Sequence, residues 1–219
     1  MNVSSIRAVL LDLDGVIVDT ARHHFEAWKA LADELGVTLE DADNESLKGV
    51  SRVDSLEWIL NKGGLVLDSQ TKLALMTRKN DHYLELIADM GPQDILPGAL
   101  EFIEGAKAAG VKIGLGSSSK NAPTILNAIG ITELFDVVID GNRITLSKPD
   151  PEVFLLGASS LDLEPAHCLV VEDAASGVEA GKAGGFPVLG VGEAEVLSGA
   201  DCVLKSLEGI HFEDVVNQL

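Results

Sequence analysis

Short apolar runs alternate with amphipathic helical segments along the second half of the chain, and this alternation constrains the fold most. A further apolar run lies near the N-terminus. The predicted strands are 8–11, 111–116, 137–139, 168–171, 188–191 and 202–204, and the predicted helices are 99–109, 121–129, 152–160, 176–183 and 212–218. Mostly apolar strands that alternate with helices are typical of a parallel sheet covered on both faces. The sequence therefore predicts an α/β fold with a doubly wound, Rossmann-like parallel sheet.

Residues 20–93 interrupt this alternation and contain no convincing strand. Three helices are predicted there from apolar residues spaced three or four positions apart. Their apolar faces carry Phe25, Trp28, Ala32 and Leu35 in the first, Val53, Leu56, Ile59 and Leu60 in the second, and Leu73, Leu84 and Ile87 in the third. We therefore expect an α/β core domain of residues 1–19 and 94–219, with an all-helical cap domain of residues 20–93 inserted after the first strand.

The chain is strongly acidic, with a formal charge of −19 over 219 residues. This charge argues against partners such as nucleic acid or an anionic membrane. No apolar run approaches the roughly 18 residues of a membrane-spanning helix, and residues 1–7 lack the pattern of a signal peptide. Cys168 and Cys202 lie in apolar stretches without a C-x-x-C pattern, so we expect free, buried thiols in a reducing compartment. We expect a cytoplasmic protein, and a monomer because each domain is self-contained.

Two aspartates follow the first predicted strand. Asp12 and Asp14 lie where that strand ends, and Gly15 allows a sharp turn directly after them. Open α/β sheets keep their ligand sites at the carboxyl ends of their strands. Two carboxylates crowded there repel each other unless a cation joins them, and Mg²⁺ is the oxygen-seeking ion that suits such a site. The alternative is an Asp-Gly turn without chemistry.

A run of hydroxyl side chains follows the strand at 111–116. Ser117, Ser118 and Ser119 come directly before a predicted helix. A serine hydroxyl and the backbone N–H groups at a helix start together suit a phosphate. The alternative is that Ser119 or Asn121 is an ordinary N-cap, and the two interpretations are compatible.

Charged residues follow the third and fourth predicted strands. Lys148 lies between Ser147 and two prolines, which restrict the conformations of this segment. Its ammonium group could neutralise a transferring phosphoryl group. The alternative is a surface lysine in a proline-rich turn. Glu172 and Asp173 follow an apolar strand and could otherwise serve only to complement a helix N-terminus. Parallel strands end at one edge of a sheet, so we expect six side chains to converge: Asp12, Asp14, Ser117, Lys148, Glu172 and Asp173.

These motifs resemble those of the haloacid-dehalogenase-like superfamily of phosphotransferases, and the resemblance extends over almost the whole chain. It implies that Asp12 is a nucleophile that forms an aspartyl phosphate and that Asp14 is the general acid and base. It further implies that Ser117 and Lys148 bind the transferring phosphoryl group. The implied cofactor is Mg²⁺, held by Asp12, Asp14 through its backbone carbonyl, Glu172 and Asp173.

The segments 23–31, 47–56 and 117–121 are similar to the β-phosphoglucomutase family within this superfamily. The resemblance makes Thr20 and His24 partners of Asp14 in catalysis. It implies a second phosphate site at Arg52 with Lys120 and Asn121, because a mutase passes through a sugar bisphosphate. The remaining substrate-binding residues that it implies are Lys48, Gly49, Val50, Ser118 and Ser119. Without it, Arg52 would be a solvated arginine and His24 a half-buried helix residue.

The implied activity interconverts β-D-glucose 1-phosphate and glucose 6-phosphate through β-glucose 1,6-bisphosphate. One alternative is a Mg²⁺-dependent sugar-phosphate phosphatase with the same nucleophile, which would use water as the acceptor and need no second phosphate site. A more distant alternative is a catalytically silent protein that binds phosphosugars. The combination of a nucleophile with an acid/base residue two positions later argues against that alternative, because binding alone needs neither.

Overall fold

A six-stranded sheet forms the centre of the computed structural model, which describes residues 6–218. Its strands are β1 (Ala8–Leu11), β2 (Lys112–Gly116), β3 (Val137–Ile139), β4 (Cys168–Glu172), β5 (Val188–Val191) and β6 (Cys202–Leu204). Every neighbouring pair is parallel, in the order β3-β2-β1-β4-β5-β6. The predicted parallel α/β sheet is therefore confirmed.

Helices cover both faces of this sheet. They are α5 (Ala99–Ala108), α6 (Ala122–Ala128), α7 (Glu152–Ser160), α8 (Ala175–Ala183) and α9 (Phe212–Val216). Alternate residues of β1 enter different apolar clusters. Val9 and Leu11 pack with residues of α5, α6 and α9, whereas Ala8 and Leu10 pack with residues of α7 and α8. The central strand is therefore buried on both sides, which explains why its sequence is wholly apolar.

The register of β1 aligns the functional ends of its two neighbours. Leu11 pairs with Leu115 of β2 on one side and with Val171 of β4 on the other. Asp12 follows Leu11 and Glu172 follows Val171, so both acidic residues lie at the same edge of the sheet. Lys148 differs from the prediction, because it lies in the loop between β3 and α7 and not directly at a strand end.

A group of helices lies between β1 and α5. These are α1 (Ala21–Glu34), α2 (Asn44–Leu47), α3 (Arg52–Lys62) and α4 (Ser69–Leu86), with a short 3₁₀ turn at Asp41–Asp43. They share an apolar cluster of their own around Trp28, Leu56 and Ile59. The three predicted helices are present, and α2 and the 3₁₀ turn are additions. The domain boundaries at 19/20 and 93/94 stay a prediction.

The apolar faces predicted for two of these helices need correction. Leu73 and Leu84 are 62% and 36% exposed, and Val53 is 53% exposed. The buried face of α4 instead carries Leu75, Lys79 and Tyr83. Counting apolar residues alone chose the wrong face because the true one contains a lysine. The prediction for the cysteines also needs a change, since Cys168 is buried but Cys202 is partly exposed; both are free.

None of the helices within residues 6–218 combines the length and the apolar character needed to cross a bilayer.

Candidate active site

Asp12 begins the turn after β1 and is buried. One of its carboxylate oxygens, Oδ1, accepts a hydrogen bond from Lys148 Nζ at 2.5 Å. The other, Oδ2, accepts from the backbone N–H of Asp14 at 2.9 Å. Gly15 then turns the chain with φ +90°, and a Cβ atom there would lie 2.1 Å from Asp173 Oδ2. Only glycine fits this position, so the turn brings the β1 and β4 ends into close contact.

Lys148 is buried between two carboxylates. Its Nζ lies 2.5 Å from both Asp12 Oδ1 and Glu172 Oε1. Burial alone would lower the pKa of this ammonium, but the charges of Asp12 and Glu172 outweigh burial and raise it above its usual value. The lysine is therefore a fixed cation beside the proposed nucleophile.

Glu172 and Asp173 have different surroundings. Glu172 Oε2 accepts from the backbone N–H groups of Asp173 and Ala174 at 2.9 and 3.0 Å, and Oε1 accepts from Lys148. Asp173 has Lys48 Nζ at 3.8 Å from its Oδ2. Burial, together with the charges of Glu172 and Asp12, raises the pKa of Asp173 well above its usual range. The carboxylates of Asp12, Glu172 and Asp173 therefore outnumber the two lysines beside them, Lys48 and Lys148.

The predicted metal ligands, Asp12, Asp14 through its backbone carbonyl, Glu172 and Asp173, stay a prediction. Within residues 6–218, no three Asp, Glu, His or Cys side chains are grouped as they would be around one metal ion. Glu172 accepts three hydrogen bonds, two from backbone N–H groups and one from Lys148, whereas Asp12 accepts two. Mg²⁺ needs only one or two carboxylates, because it keeps several waters and binds substrate phosphate. The crowded pair Asp12 and Asp173 therefore fits Mg²⁺, with Glu172 holding Lys148.

Asp14 lies at the junction between the sheet and the helical segment. The Thr20 hydroxyl donates to Asp14 Oδ1, and His24 Nε2 is 3.8 Å from the same oxygen. Burial and the neighbouring charge of Asp12 raise the pKa of Asp14 to about 7. Burial, followed by the charge of Lys79, lowers the pKa of His24 well below its usual value, so the imidazole is neutral at pH 7. The structure thus brings Thr20 and His24 to Asp14 as expected.

Lys79 is a site residue that the sequence analysis missed. Its Nζ lies 2.8 Å from His24 Nδ1, and it is stacked over the rings of Trp28 and Tyr83 at 4.7 and 5.0 Å. Burial and the charge of Arg52 lower the pKa of Lys79 to about 7. One signal could have revealed it: Leu75, Lys79 and Tyr83 are spaced by four, which places a lysine in line with the buried side chains of α4.

The segment after β2 faces the helical segment. Ser117 is buried and its Oγ accepts from the backbone N–H of Ser119 at 3.1 Å, while Ser119 Oγ accepts from that of Asn121 at 3.2 Å. Ser118 Oγ donates to the Gly49 carbonyl at 2.7 Å. Asn121 occupies the N-cap position of α6 without a side-chain capping bond. The Ser119 bond reaches the N–H of the N-cap residue itself, so the structure shows the expected side-chain cap of α6 from neither Ser119 nor Asn121.

A single amide links Arg52 to Asn121. Asn80 Oδ1 accepts from Arg52 Nη2 at 2.5 Å and from Asn121 Nδ2 at 2.9 Å. Asn80 is a second residue that the sequence analysis missed, and nothing in its sequence context indicates this contact. The proposed second phosphate site thus spans the helical segment and the sheet.

A cavity of about 1060 Å³ lies between the helical segment and the sheet. The predicted site residues that line it are Asp12, Asp14, His24, Lys48, Gly49, Val50, Arg52, Ser118, Ser119, Lys120 and Lys148. The lining does not include five other predicted site residues, each of which contacts a lining residue: Thr20, Ser117, Asn121, Glu172 and Asp173. Trp28, which was expected in the cap core, both packs in that core and lines the cavity.

Hydrogen bonds join the helical segment to the sheet part of the chain beside this cavity. Besides the Ser118–Gly49 bond, Ser176 Oγ donates to the Lys48 carbonyl at 3.0 Å and Ser147 Oγ donates to Asp54 Oδ2 at 2.6 Å. These hydrogen bonds join the two parts of the chain around the cavity rim.

A model of the haloacid dehalogenase-like hydrolase family matches residues 6–185 of this chain. The chain belongs to this family. It is 42% identical to the β-phosphoglucomutase of Bacillus subtilis (strain 168), over 95% of this chain and 93% of that protein. The crystal structure of β-phosphoglucomutase from Clostridium difficile has a TM-score of 0.94 and 39% identity, with 97% of this chain and 96% of that chain covered. The family resemblance inferred from the motifs is confirmed.

A phosphatase is also among the relatives within this family. The phosphorylated carbohydrates phosphatase of Thermotoga maritima is 30% identical, over 93% of this chain and 96% of that protein. The family relatives thus include both activities that the sequence analysis weighed, a mutase and a phosphatase. Both act on phosphorylated compounds, so the chain is an enzyme of a phosphoryl-transfer family.

Proposed function

We propose that this protein interconverts β-D-glucose 1-phosphate and glucose 6-phosphate through β-glucose 1,6-bisphosphate. The observation that supports this most is a single cavity whose lining includes Lys148, which binds Asp12, and further cations on other elements, among them Arg52 and Lys120. A reaction that passes through a bisphosphate needs to hold two phosphates at once. The 42% identity to a β-phosphoglucomutase supports the same conclusion.

Asp12 is the proposed nucleophile. A bond forms between an Asp12 carboxylate oxygen and phosphorus while the bond from phosphorus to the sugar oxygen breaks. Lys148 lies 2.5 Å from Asp12 Oδ1 and can neutralise charge on the transferring phosphoryl group without moving. Glu172 holds that lysine in place from the other side.

Asp14 is the proposed acid and base. Its pKa of about 7 allows it to give a proton to the departing sugar oxygen and later to take one from the attacking hydroxyl. Thr20 and His24 fix the carboxyl group, and Lys79 holds the His24 ring from the far side. These contacts tie the position of Asp14 to helices α1 and α4 of the helical segment.

Mg²⁺ is the proposed cofactor, with Asp12, Asp173 and the Asp14 carbonyl as its protein ligands. When bound, it supplies positive charge that lets the Asp12 carboxylate and a phosphate approach each other. The excess negative charge around Asp173 supports this assignment. The Glu172 side chain is left out of the proposed ligand set because it accepts three hydrogen bonds, two from backbone N–H groups and one from Lys148, whereas Asp12 accepts two.

The second phosphate of the bisphosphate is proposed to bind Arg52, Lys120 and Asn121. The bisphosphate must then turn over, so that either phosphate can face Asp12. The hydrogen bonds that join the helical segment to the sheet part of the chain support this scheme, because the aspartyl phosphate has to be protected from water while the sugar reorients. A phosphatase that uses water as its acceptor would need neither feature.

The direct test is an assay that follows glucose 6-phosphate and free phosphate together, with β-D-glucose 1-phosphate, Mg²⁺ and a trace of the bisphosphate. We expect glucose 6-phosphate without matching phosphate release. Phosphate release alone would reject the mutase in favour of the phosphatase, and no reaction at all would favour a binding protein.

The Arg52→Ala variant tests the second phosphate site in the same assay. Loss of a charge-assisted contact of roughly 1.5–3 kcal/mol should lower mutase kcat/KM by about tenfold to a hundredfold. Arg78→Ala is the matched control, because Arg78 is an exposed arginine of the same segment that pairs with Glu34. Equal effects of the two variants would contradict the proposed site.

A further inference from the structure

Asn80 occupies a junction of three elements. It lies on α4, one residue after Lys79, and its Oδ1 accepts hydrogen bonds from Arg52 at the start of α3 and from Asn121 before α6. Helices α3 and α4 belong to the helical segment, whereas Asn121 lies between strand β2 of the sheet and α6. A single oxygen atom therefore connects the two parts of the chain on which the proposed second phosphate site is built.

The partner that orients Arg52 is neutral. Among residues 6–218, Arg52 forms no ion pair with a carboxylate, and Asp81 acts on it only through space. An amide oxygen fixes a guanidinium by accepting one of its five N–H bonds and leaves its full charge available. A carboxylate in the same place would fix it equally well but would neutralise the charge that a phosphate needs.

We infer that Asn80 is a positioning residue that assembles the second phosphate site across the two parts of the chain while keeping its positive charge intact. The inference rests on the proposed function, because it assigns a purpose to the second phosphate site. It adds a specific requirement that the proposed function lacks, namely a neutral acceptor at position 80.

The Asn80→Asp variant separates this role from a merely structural one. Aspartate is nearly isosteric with asparagine and can accept hydrogen bonds from both Arg52 and Asn121. If these two hydrogen bonds served only stability, the variant would therefore keep or strengthen them without losing function. Under our inference, the variant loses affinity for the second phosphate although it keeps the geometry. Asn80→Ala removes the tie itself and should weaken the same site through loss of position.

The experiment compares two phosphoryl donors for the phosphorylation of Asp12. β-Glucose 1,6-bisphosphate has a second phosphate, whereas acetyl phosphate has none. For Asn80→Asp, we expect kcat/KM for the bisphosphate to fall at least about tenfold more than kcat/KM for acetyl phosphate, mainly through KM. The melting temperature should stay within a few degrees of that of the unchanged protein.

Asn61→Asp is the matched control, because Asn61 is an exposed asparagine on α3 of the same segment. Asn61→Asp should change kcat/KM by the same factor for both phosphoryl donors. The inference is overturned if Asn80→Asp behaves like Asn61→Asp, or if the variant lowers both donors by the same factor. Failure of the proposed function is distinct, since the unchanged protein would then form no glucose 6-phosphate.

Discussion

The protonation of Asp14 governs which step the site can perform. Burial and the Asp12 charge raise its pKa to about 7, and the hydrogen bond from Thr20 lowers it. The acid form is therefore present below about pH 7 and is lost as the pH rises. The same shift favours the folded state at low pH, and this contribution disappears as the pH rises through 7.

Replacement of Thr20 should move the pH profile in a defined direction. In Thr20→Val the bond that stabilises the carboxylate is gone, so the pKa of Asp14 rises. The step that needs its acid form, phosphorylation of Asp12 by the bisphosphate, should keep its rate to higher pH, by about one pH unit. Single-turnover rates from pH 5.5 to 9 measure this shift. The control is Thr132→Val at an exposed position, and an unmoved profile for Thr20→Val contradicts the assignment.

Helix α4 presents a charged residue on a buried face. Lys79 packs against two aromatic rings and contacts His24, and its pKa is lowered to about 7. The folded state therefore binds fewer protons than the unfolded state between about pH 7 and pH 10. Stability rises with pH over that range, so the lysine destabilises the protein most at and below neutral pH.

Lys79→Met should stabilise the protein while impairing catalysis. Methionine fills the same space without a charge to desolvate, so we expect a free energy of unfolding higher by roughly 1–4 kcal/mol at pH 7. The difference should shrink toward pH 10. Urea unfolding at both pH values measures it, and the control is Lys72→Met, at a half-buried lysine of α4 that pairs with Glu57. A variant less stable than the unchanged protein at pH 7 would contradict this explanation.

The elements themselves were largely predictable, but some faces and contacts were not. The bounds of β3, β5, β6 and α7 agree with the sequence prediction because compact apolar runs leave few alternatives. The buried face of α4 was missed because the sequence analysis counted only apolar residues, and Lys79 lies on that face. Asn80 was missed because its two partners come from α3 and from the α6 cap, which only the tertiary structure brings together.

The surroundings of the predicted metal ligands were also hidden from the sequence. The sequence places Glu172 and Asp173 side by side, but it does not reveal that Lys148, from a loop far along the chain, takes up one Glu172 oxygen. Glu172 therefore binds Lys148, whereas its neighbour Asp173 is a proposed ligand of Mg²⁺. The predicted cytoplasmic location and monomeric state remain predictions.

The whole molecule carries an excess of negative charge. A formal charge of −19 over 219 residues repels itself in the compact state, and the few buried lysines are concentrated around the cavity. Screening by salt should therefore stabilise the fold. Raising KCl from about 10 mM to about 200 mM should increase the melting temperature by a few degrees, as measured by calorimetry without Mg²⁺. A decrease would contradict this explanation.

The position of β1 in the sheet has a consequence for the protein during its synthesis. This strand is made first, but both of its neighbours, β2 and β4, come from beyond residue 111. Asp12 also waits for Lys148, which is 136 residues further along the chain. A ribosome therefore exposes the apolar first strand long before its partners exist, and the pairing of Asp12 with Lys148 and Glu172 cannot form until residue 172 has been made.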